Sequence, residues 1–371
     1  MAATLLQPDA VVLPHTIAHG AQVLVEQGRI TAVGYGPFHA ERTVRVVGHL
    51  LPGFIDLQVN GAGGRSVDEA TPEALDATAR AVLAGGAVAF LPTLITAPLP
   101  LLCQQITRIV RWLESPAPGG ARPLGLHLEG PFLESSGVHD AALFVDPTPE
   151  RLRAILDAAR GHLRLVTLAP GRPGAPEAVR ILREAGVAVG FGHGESTQHF
   201  DECAAAGASL VTHLFNAMGP LHHRKPGISG HALDDQRLSC TLIVDGAHVH
   251  PAMVRNAFRC LGVDRTLLVT DCVSAAGMPD GEYLLAGMTV RLQAGVVRDG
   301  QGRLAGSALT MGLAARNFLD MVPAAGPWTL ARIAATNPAR AVGAQDLGAI
   351  DVGKRAEFSV LRGDQIETLR C

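Results

Sequence analysis

Residues 187–217 read VAVGFGHGESTQHFDECAAAGASLVTHLFNA. Two short apolar runs, 187–194 and 209–217, flank a stretch, 199–207, whose alanines suit a short helix. Strand, helix, strand without a hairpin turn is the parallel βαβ unit. Each run opens apolar and ends in chemistry: His193 closes the first, and His213 and Asn216 close the second.

The same unit recurs on both sides. Candidate strands are GFIDLQVN (53–60), AVAFLPTLIT (87–96), LGLHLEGP (124–131), LRLVTLAP (163–170), CTLIVDGAHV (240–249) and TLLVTDCV (266–273), eight with the two above. Amphipathic stretches separate most of them: PEALDATARAVLAGG, LLCQQITRIVRWLES, PERLRAILDAARG, PEAVRILREAG and AMVRNAFRCLG. Eight βα units predict an α/β chain closed into a (β/α)₈ TIM-like barrel, with an open doubly wound sheet as the alternative. Polar residues gather at the strand ends: Gln58 and Asn60, Thr93, His127 and Glu129, His193, His213, Asp245 and His248, Asp271. In a barrel these ends converge on one face.

Both ends of the chain read differently. VLVEQGRITAVG alternates and turns at Gln27-Gly28, and AEFSVLRGDQIETLR alternates in the same way. The expected division is a small β-sandwich from residues 1–50 and 345–371 around a catalytic barrel at 51–344. A β-hairpin insertion is expected near 283–305, followed by helices in ALTMGLAARNFLDMV and TLARIAATNPARAVG.

The composition narrows the function. The 371 residues are 47% hydrophobic, enough for a large core and too apolar for a disordered chain. Net charge is −3 and no long basic block stands out, so neither nucleic acid nor an anionic membrane is an expected partner. The apolar runs are strand-length, short of a membrane span, and the first residues show no secretory leader pattern. Six cysteines without a C-x-x-C pair suit free thiols in a reducing cytoplasm. No P-loop, G-x-S-x-G elbow or H-E-x-x-H helix is present, against nucleotide binding, serine hydrolysis and thermolysin-like proteolysis.

Glu129, His193 and His213 end three different strands and offer the carboxylate and imidazole donors that a catalytic Zn²⁺ takes. Fe²⁺ accepts the same set. Asp271 ends the eighth strand, where a carboxylate suits general base and then general acid work. The plain reading of each is a strand-end hydrogen bond or a cap; the four together predict a metal-assisted hydrolase. His222 and His223, in a Pro/Gly loop, read as rim residues, His250 before Pro251 as structural, and Asp56 as a structural pairing or capping residue.

Taken in order, LPGFIDLQVNGAGG, FLPTLIT, LGLHLEGPFL with GVHD, FGHGEST, THLFNAM, RKPGISG, DGAHV, LVTDCVSAAG and LAGSALTM resemble the N-acetylglucosamine-6-phosphate deacetylases of the amidohydrolase superfamily, from about Gly48 to Phe358. PGFID and LVTD belong to the superfamily; LHLEGPF with THLFNAM and DGAHV points to the deacetylases. The resemblance implies hydrolysis of an N-acetyl amino-sugar 6-phosphate, with Glu129, His193 and His213 as metal ligands and Asp271 as acid/base. It implies His139 near the acetamide, Asn216 and Ala217 in the sugar pocket, Arg224 and His248 on the phosphate, and Leu304, Ala305 and Gly306 flanking the sugar. It also implies a homodimer in which the Arg224 loop reaches the partner's site. Gln58-Val59-Asn60 stands where many superfamily members carry H-x-H, so one metal ion per subunit is expected. The family pattern leads to the expectation of a further strand after Cys371. The rival readings are a deacetylase of N-acetylgalactosamine 6-phosphate and a non-catalytic amidohydrolase-like scaffold.

Overall fold

The computed structural model describes residues 3–371. Its centre is a parallel barrel of eight strands: Ile55–Val59, Ala89–Leu94, Leu126–Glu129, Leu163–Leu168, Ala188–Phe191, Leu210–Val211, Ser239–Leu242 and Thr266–Leu268. Each pairs in parallel with the next in chain order. The ring closes where the first strand meets the chain after the eighth, through a parallel bridge Val59–Cys272 and a 2.8 Å bond from Asn60 N to Cys272 O. The open doubly wound sheet is therefore excluded. The first strand is buried throughout, as a barrel wall covered on both sides requires.

The helices start where the sequence provides caps. Thr71 and Thr148 accept from the amides of Ala74 and Arg151, each just before a proline that opens the helix. His250 caps the helix Pro251–Arg265 by accepting from Ala252 N, so its expected structural role is met. One helix escaped the sequence reading. Gly227–Asp234 lies between the sixth and seventh strands, in a stretch read only as the loop HHRKPGISG. Its weak amphipathicity hid it, and its last turn is held from outside. The buried guanidinium of Arg265 donates to the carbonyls of Ala232, Leu233, Asp235, Leu238 and Cys260. A cation at a helix C-terminus also suits the helix dipole.

The termini form one seven-stranded sheet, from Thr4–Val12, Ile17–His19, Gln22–Glu26, Arg29–Gly34, Arg42–Pro52, Glu357–Arg362 and Gln365–Arg370. The sheet rolls on itself: Ile30 N donates to Lys354 O and Ala356 N to Gly28 O. It encloses its own core around Leu6, Val23, Ile30, Leu50 and Phe358. The turn at Gln27-Gly28 has φ of 50° and 72°, the type I′ pattern expected of a two-residue hairpin.

The insertion differs from the single hairpin expected. It is a three-stranded antiparallel sheet, Gly281–Leu285, Met288–Gln293 and Val296–Asp299. Two Ala-Gly pairs make its turns, with φ of 46° and 78° at Ala286-Gly287 and 50° and 79° at Ala294-Gly295. Alanine at the first turn position is a poor advertisement for positive φ, and the first of these turns went unread. The last expected helix is also interrupted, with a π-helical turn at Arg332–Thr336 between Pro327–Ala331 and Asn337–Ala341.

Replacing Arg265 with leucine strands several buried carbonyls at once. The Arg265→Leu variant should lose about 3 kcal/mol in urea unfolding, the upper value for one hydrogen bond to a charged group. A loss under about 1 kcal/mol would show that the carbonyls find other donors.

Candidate metal centre and active site

The strand ends deliver their polar side chains to one cavity of about 230 Å³. Glu129 is the last residue of the third strand. His193, His213 and Asp271 follow the fifth, sixth and eighth strands within three residues. Asn60, His139, Asn216, Ala217, His248, Leu304 and Gly306 also line the cavity. His193, His213 and Asp271 hold φ of 50°, 35° and 50°, and Phe215 and Ala217 hold 79° and 50°. Among the described residues, five of the eleven non-glycine residues with positive φ thus sit in the strand-end loops that build this site. Backbone this costly persists where the surroundings hold it.

Glu129 is the electrostatic centre. His213 Nε2 lies 2.7 Å and His193 Nε2 3.3 Å from its Oε1, and His139 Nε2 lies 3.7 Å from Oε2. All four side chains are almost wholly buried. Burial alone would raise the Glu129 carboxyl, but the three imidazoles outweigh it and hold it well below the usual range. Burial pushes His139 down to about 4. Burial also works to lower His213, but the Glu129 carboxylate prevails and its ring is shifted upward.

The tautomers separate the three rings. His193 Nδ1 is 2.9 Å from Ser135 O, which only accepts, so Nδ1 carries the proton. In the neutral ring Nε2 is then a bare lone pair facing a carboxylate oxygen, two acceptors opposed. His213 Nδ1 is buried without a hydrogen-bond partner. His139 is arranged the other way. Its Nδ1 accepts from Thr96 N at 3.4 Å and meets Thr96 Oγ1 at 2.9 Å, so Nε2 carries the proton. The donor set fits a divalent cation: His193 Nε2, His213 Nε2 and a carboxylate oxygen face one another, and opposed acceptors are what such an ion satisfies. Ligand-type atoms of Glu129, His139 and His193 all lie within 4.8 Å of one another. By protonation, however, His139 Nε2 is a hydrogen-bond donor, whereas His193 Nε2 presents a lone pair.

Asp271 stands opposite. Burial, then the nearby Glu129 charge, raise its carboxyl to about 6. Asn60 Nδ2 donates to Asp271 Oδ1 at 2.7 Å. The sequence had marked Asn60 only as a substitute for a ligand; its partner on the eighth strand was invisible there. His248 is held by Asp245, with Nδ1 2.6 Å from Asp245 Oδ2, leaving Nε2 free. Beneath the site, His127 bonds Thr167 and meets Thr93, and burial pushes it down to about 4, so it is a neutral strut of the barrel interior.

Two expected site residues lie elsewhere within this chain. Arg224 is exposed on the 219–226 loop with His222 and His223 and does not line the cavity. Ala305 is fully buried in the core of the insertion, among Val273, Leu285 and Val297, while its neighbours Leu304 and Gly306 face the cavity. Gly137 was not singled out. It has φ of +52°, and a Cβ there would come 3.1 Å from His193 Cε1.

The amidohydrolase family model matches residues 49–369. The chain belongs to the amidohydrolase family. Within it, the chain groups with the amino-sugar-phosphate deacetylases. The N-acetylgalactosamine-6-phosphate deacetylase of Escherichia coli O157:H7 is 37% identical over 344 residues, 92% of this chain and 90% of that one. The N-acetylglucosamine-6-phosphate deacetylase of Vibrio furnissii is 35% identical over 347 residues, 91% of this chain and 86% of that one. Among solved structures, an aspartate-to-alanine mutant of the Mycobacterium smegmatis N-acetyl-D-glucosamine-6-phosphate deacetylase, in complex with N-acetyl-D-glucosamine-6-phosphate, superposes with a TM-score of 0.92 at 33% identity, covering 99% of this chain and 97% of that one. Members of this family depend on a metal.

Chelator-treated protein should gain stability when Zn²⁺ is returned. Free ion at 100 times its Kd adds about 2.7 kcal/mol, visible as a higher melting temperature. The gain should vanish in His193→Ala. An unchanged melting curve in the wild type would remove the cluster as a cation site.

Proposed function

We propose that the chain hydrolyses the acetamide of N-acetyl-D-glucosamine 6-phosphate to D-glucosamine 6-phosphate and acetate, in amino-sugar catabolism and cell-wall recycling. The observation that carries this is a buried carboxylate ringed by imidazoles opposite a second buried carboxylate, in a chain 35% identical to a deacetylase of that substrate. The cytoplasm is its proposed location; the six free cysteines suit it, and no helix among the described residues is long and apolar enough to cross a membrane.

Glu129, His193 and His213 are the proposed ligands of one divalent ion, Zn²⁺ or, with the same donors, Fe²⁺. Bound there, the ion would polarise the acetamide carbonyl and lower the pKa of water. Asp271 takes the attacking water's proton on Oδ2, since Asn60 occupies Oδ1, and passes it to the leaving amine nitrogen. His139 donates its Nε2 proton toward the acetamide oxygen. Asn216, Ala217, Leu304 and Gly306 flank the sugar.

The phosphate is assigned to His248 and Arg224. His248 sits in the cavity with Nε2 free, whereas Arg224 is exposed on its own subunit. A homodimer in which Arg224 enters the partner's site reconciles the two. The second substrate reading, N-acetylgalactosamine 6-phosphate, is favoured by the 37% identity to a deacetylase of that sugar. The deciding measurement is acetate release from both sugar phosphates with the metal quantified; release from neither would end the proposal.

Asp271→Asn should keep the metal and lose about 10²–10⁴-fold in kcat, the usual worth of general acid–base assistance. In the wild type the rate should fall with decreasing pH as Asp271 takes up a proton. The midpoint should lie at or below about 6, since a bound dication pulls the carboxyl down. A pH-independent wild-type rate between 4 and 7 would point to another base. Arg224→Ala should cut kcat/KM on the phosphorylated sugar by about 1.5–3 kcal/mol and leave the poor rate on the neutral sugar unchanged. Mixing Arg224→Ala with Asp271→Asn subunits should restore part of the rate if the site is shared; no recovery in demonstrated heterodimers would refute sharing.

A further inference from the structure

Asp56 is unexplained by the chemistry so far. It is 2% exposed, on the first barrel strand. Its carboxylate faces no cation: the groups around it are neutral donors and the negative Asp271. Burying an uncompensated carboxylate is costly, and an asparagine or leucine would serve packing alone better. The cavity beside it, of about 20 Å³, has room for one water and none for a ligand. Asp56 is therefore not a binding site.

Its hydrogen bonds lead to the eighth strand. Oδ2 accepts from Thr270 Oγ1 at 2.5 Å, and Oδ1 accepts from Thr270 N at 3.2 Å and Gln58 N at 3.3 Å. Thr270 immediately precedes Asp271. Its Oγ1 accepts from Cys272 N at 3.2 Å, and its carbonyl accepts from Ser307 Oγ at 2.6 Å. Ser307 N in turn donates to Asp271 O at 2.9 Å. Asp271 itself has φ of 50°, a left-handed backbone that a non-glycine residue adopts only when held. The regular eighth strand has already ended at Leu268, and beyond it only isolated bridges at Cys272, to Val59 and Ser307, flank Asp271. Ser307 holds Asp271 at its carbonyl and Asn60 at its carboxylate, while Asp56 fixes the preceding residue, Thr270, at its amide and hydroxyl. The carboxylate accepts from all three donors at once; in an asparagine the NH₂ would replace the acceptor that the Thr270 hydroxyl now donates to and force that hydroxyl to turn.

We propose that Asp56 is a positioning residue for Asp271, clamping Thr270 across the seam where the barrel closes so that the strained Asp271 backbone aims its carboxylate into the cavity. This rests on the reading of Asp271 as the proton-transfer group. Asp56 touches neither substrate nor the reacting atoms, and its effect is confined to the rate.

The test uses the metal-loaded full chain with N-acetylglucosamine 6-phosphate. Asp56→Asn should lower kcat about 10–100-fold, the scale of a misaimed catalytic group, with KM and metal content within about twofold of wild type. Thr270→Ser, which keeps the hydroxyl, should retain most of kcat, and Thr270→Val should not. The decisive comparison is the Asp271→Asn background, where the residual rate is followed by long acetate assays. There Asp56→Asn should cost nothing further, because the group it aims is gone. A further multiplicative loss in that background, a change carried by KM or metal content, or an unchanged kcat in the single variant would each overturn the proposal. If Asp56→Asn does not fold, Thr270→Val against Thr270→Ser in the two backgrounds makes the same comparison. Full activity in Asp271→Asn itself would instead overturn the reading of Asp271, and the clamp with it.

Discussion

A buried carboxylate must be compensated, and Glu129 organises the catalytic face around that requirement. Three imidazoles from the loops after the third, fifth and sixth strands converge on it. Left with protons alone, the arrangement is frustrated, because His193 presents a lone pair to an acceptor. Such a centre stores a preference for a dication. The barrel pays for it with a rigid frame, including the threonine and histidine struts below and the left-handed backbone at His193, His213 and Asp271.

The second constraint is the seam. A barrel of eight parallel strands closes only if the first strand finds the last, and here the joining bonds are few. Val59 bridges Cys272, Asn60 and Gly61 donate to Cys272 O, and Asp56 holds Thr270. The same short stretch of the eighth unit carries Asp271. Closure of the fold and alignment of the second carboxylate are thus made by one set of contacts, with Asn60 bonded to both the seam and Asp271. The insertion sheet contributes Leu285 to the cavity wall, and the segment after it adds Leu304 and Gly306.

Glu129 and Asp271 crowd negative charge at the barrel mouth, and the net charge of the chain is −3. An anionic substrate has to be met by positive groups elsewhere. Within one subunit His248 is available and Arg224 is turned to solvent.

The sequence by itself determined the order of the eight strands, the strand-end placement of Glu129, His193, His213 and Asp271, and the hairpin at Gln27-Gly28. These follow from local causes: apolar periodicity, turn chemistry and the rule that barrel strands present their C-terminal ends to one face. Motif resemblance reached further, to the deacetylase group and the cavity residues His139, Asn216 and His248. Only the tertiary structure decided what depends on partners distant in the chain. The helix 227–234 is held by Arg265, some thirty positions on, and had no strong periodicity of its own. Ala305 and Gly306 are adjacent, yet one enters the insertion core and the other, at a φ of 59°, the cavity. Asn60 read as a lost ligand and Asp56 as a structural pairing or capping residue, but their partners, Asp271 and Thr270, more than two hundred residues away, were set only by the closure of the barrel. Hydrogen bonds across a closing seam leave no periodic trace in either strand, so folding alone reveals them.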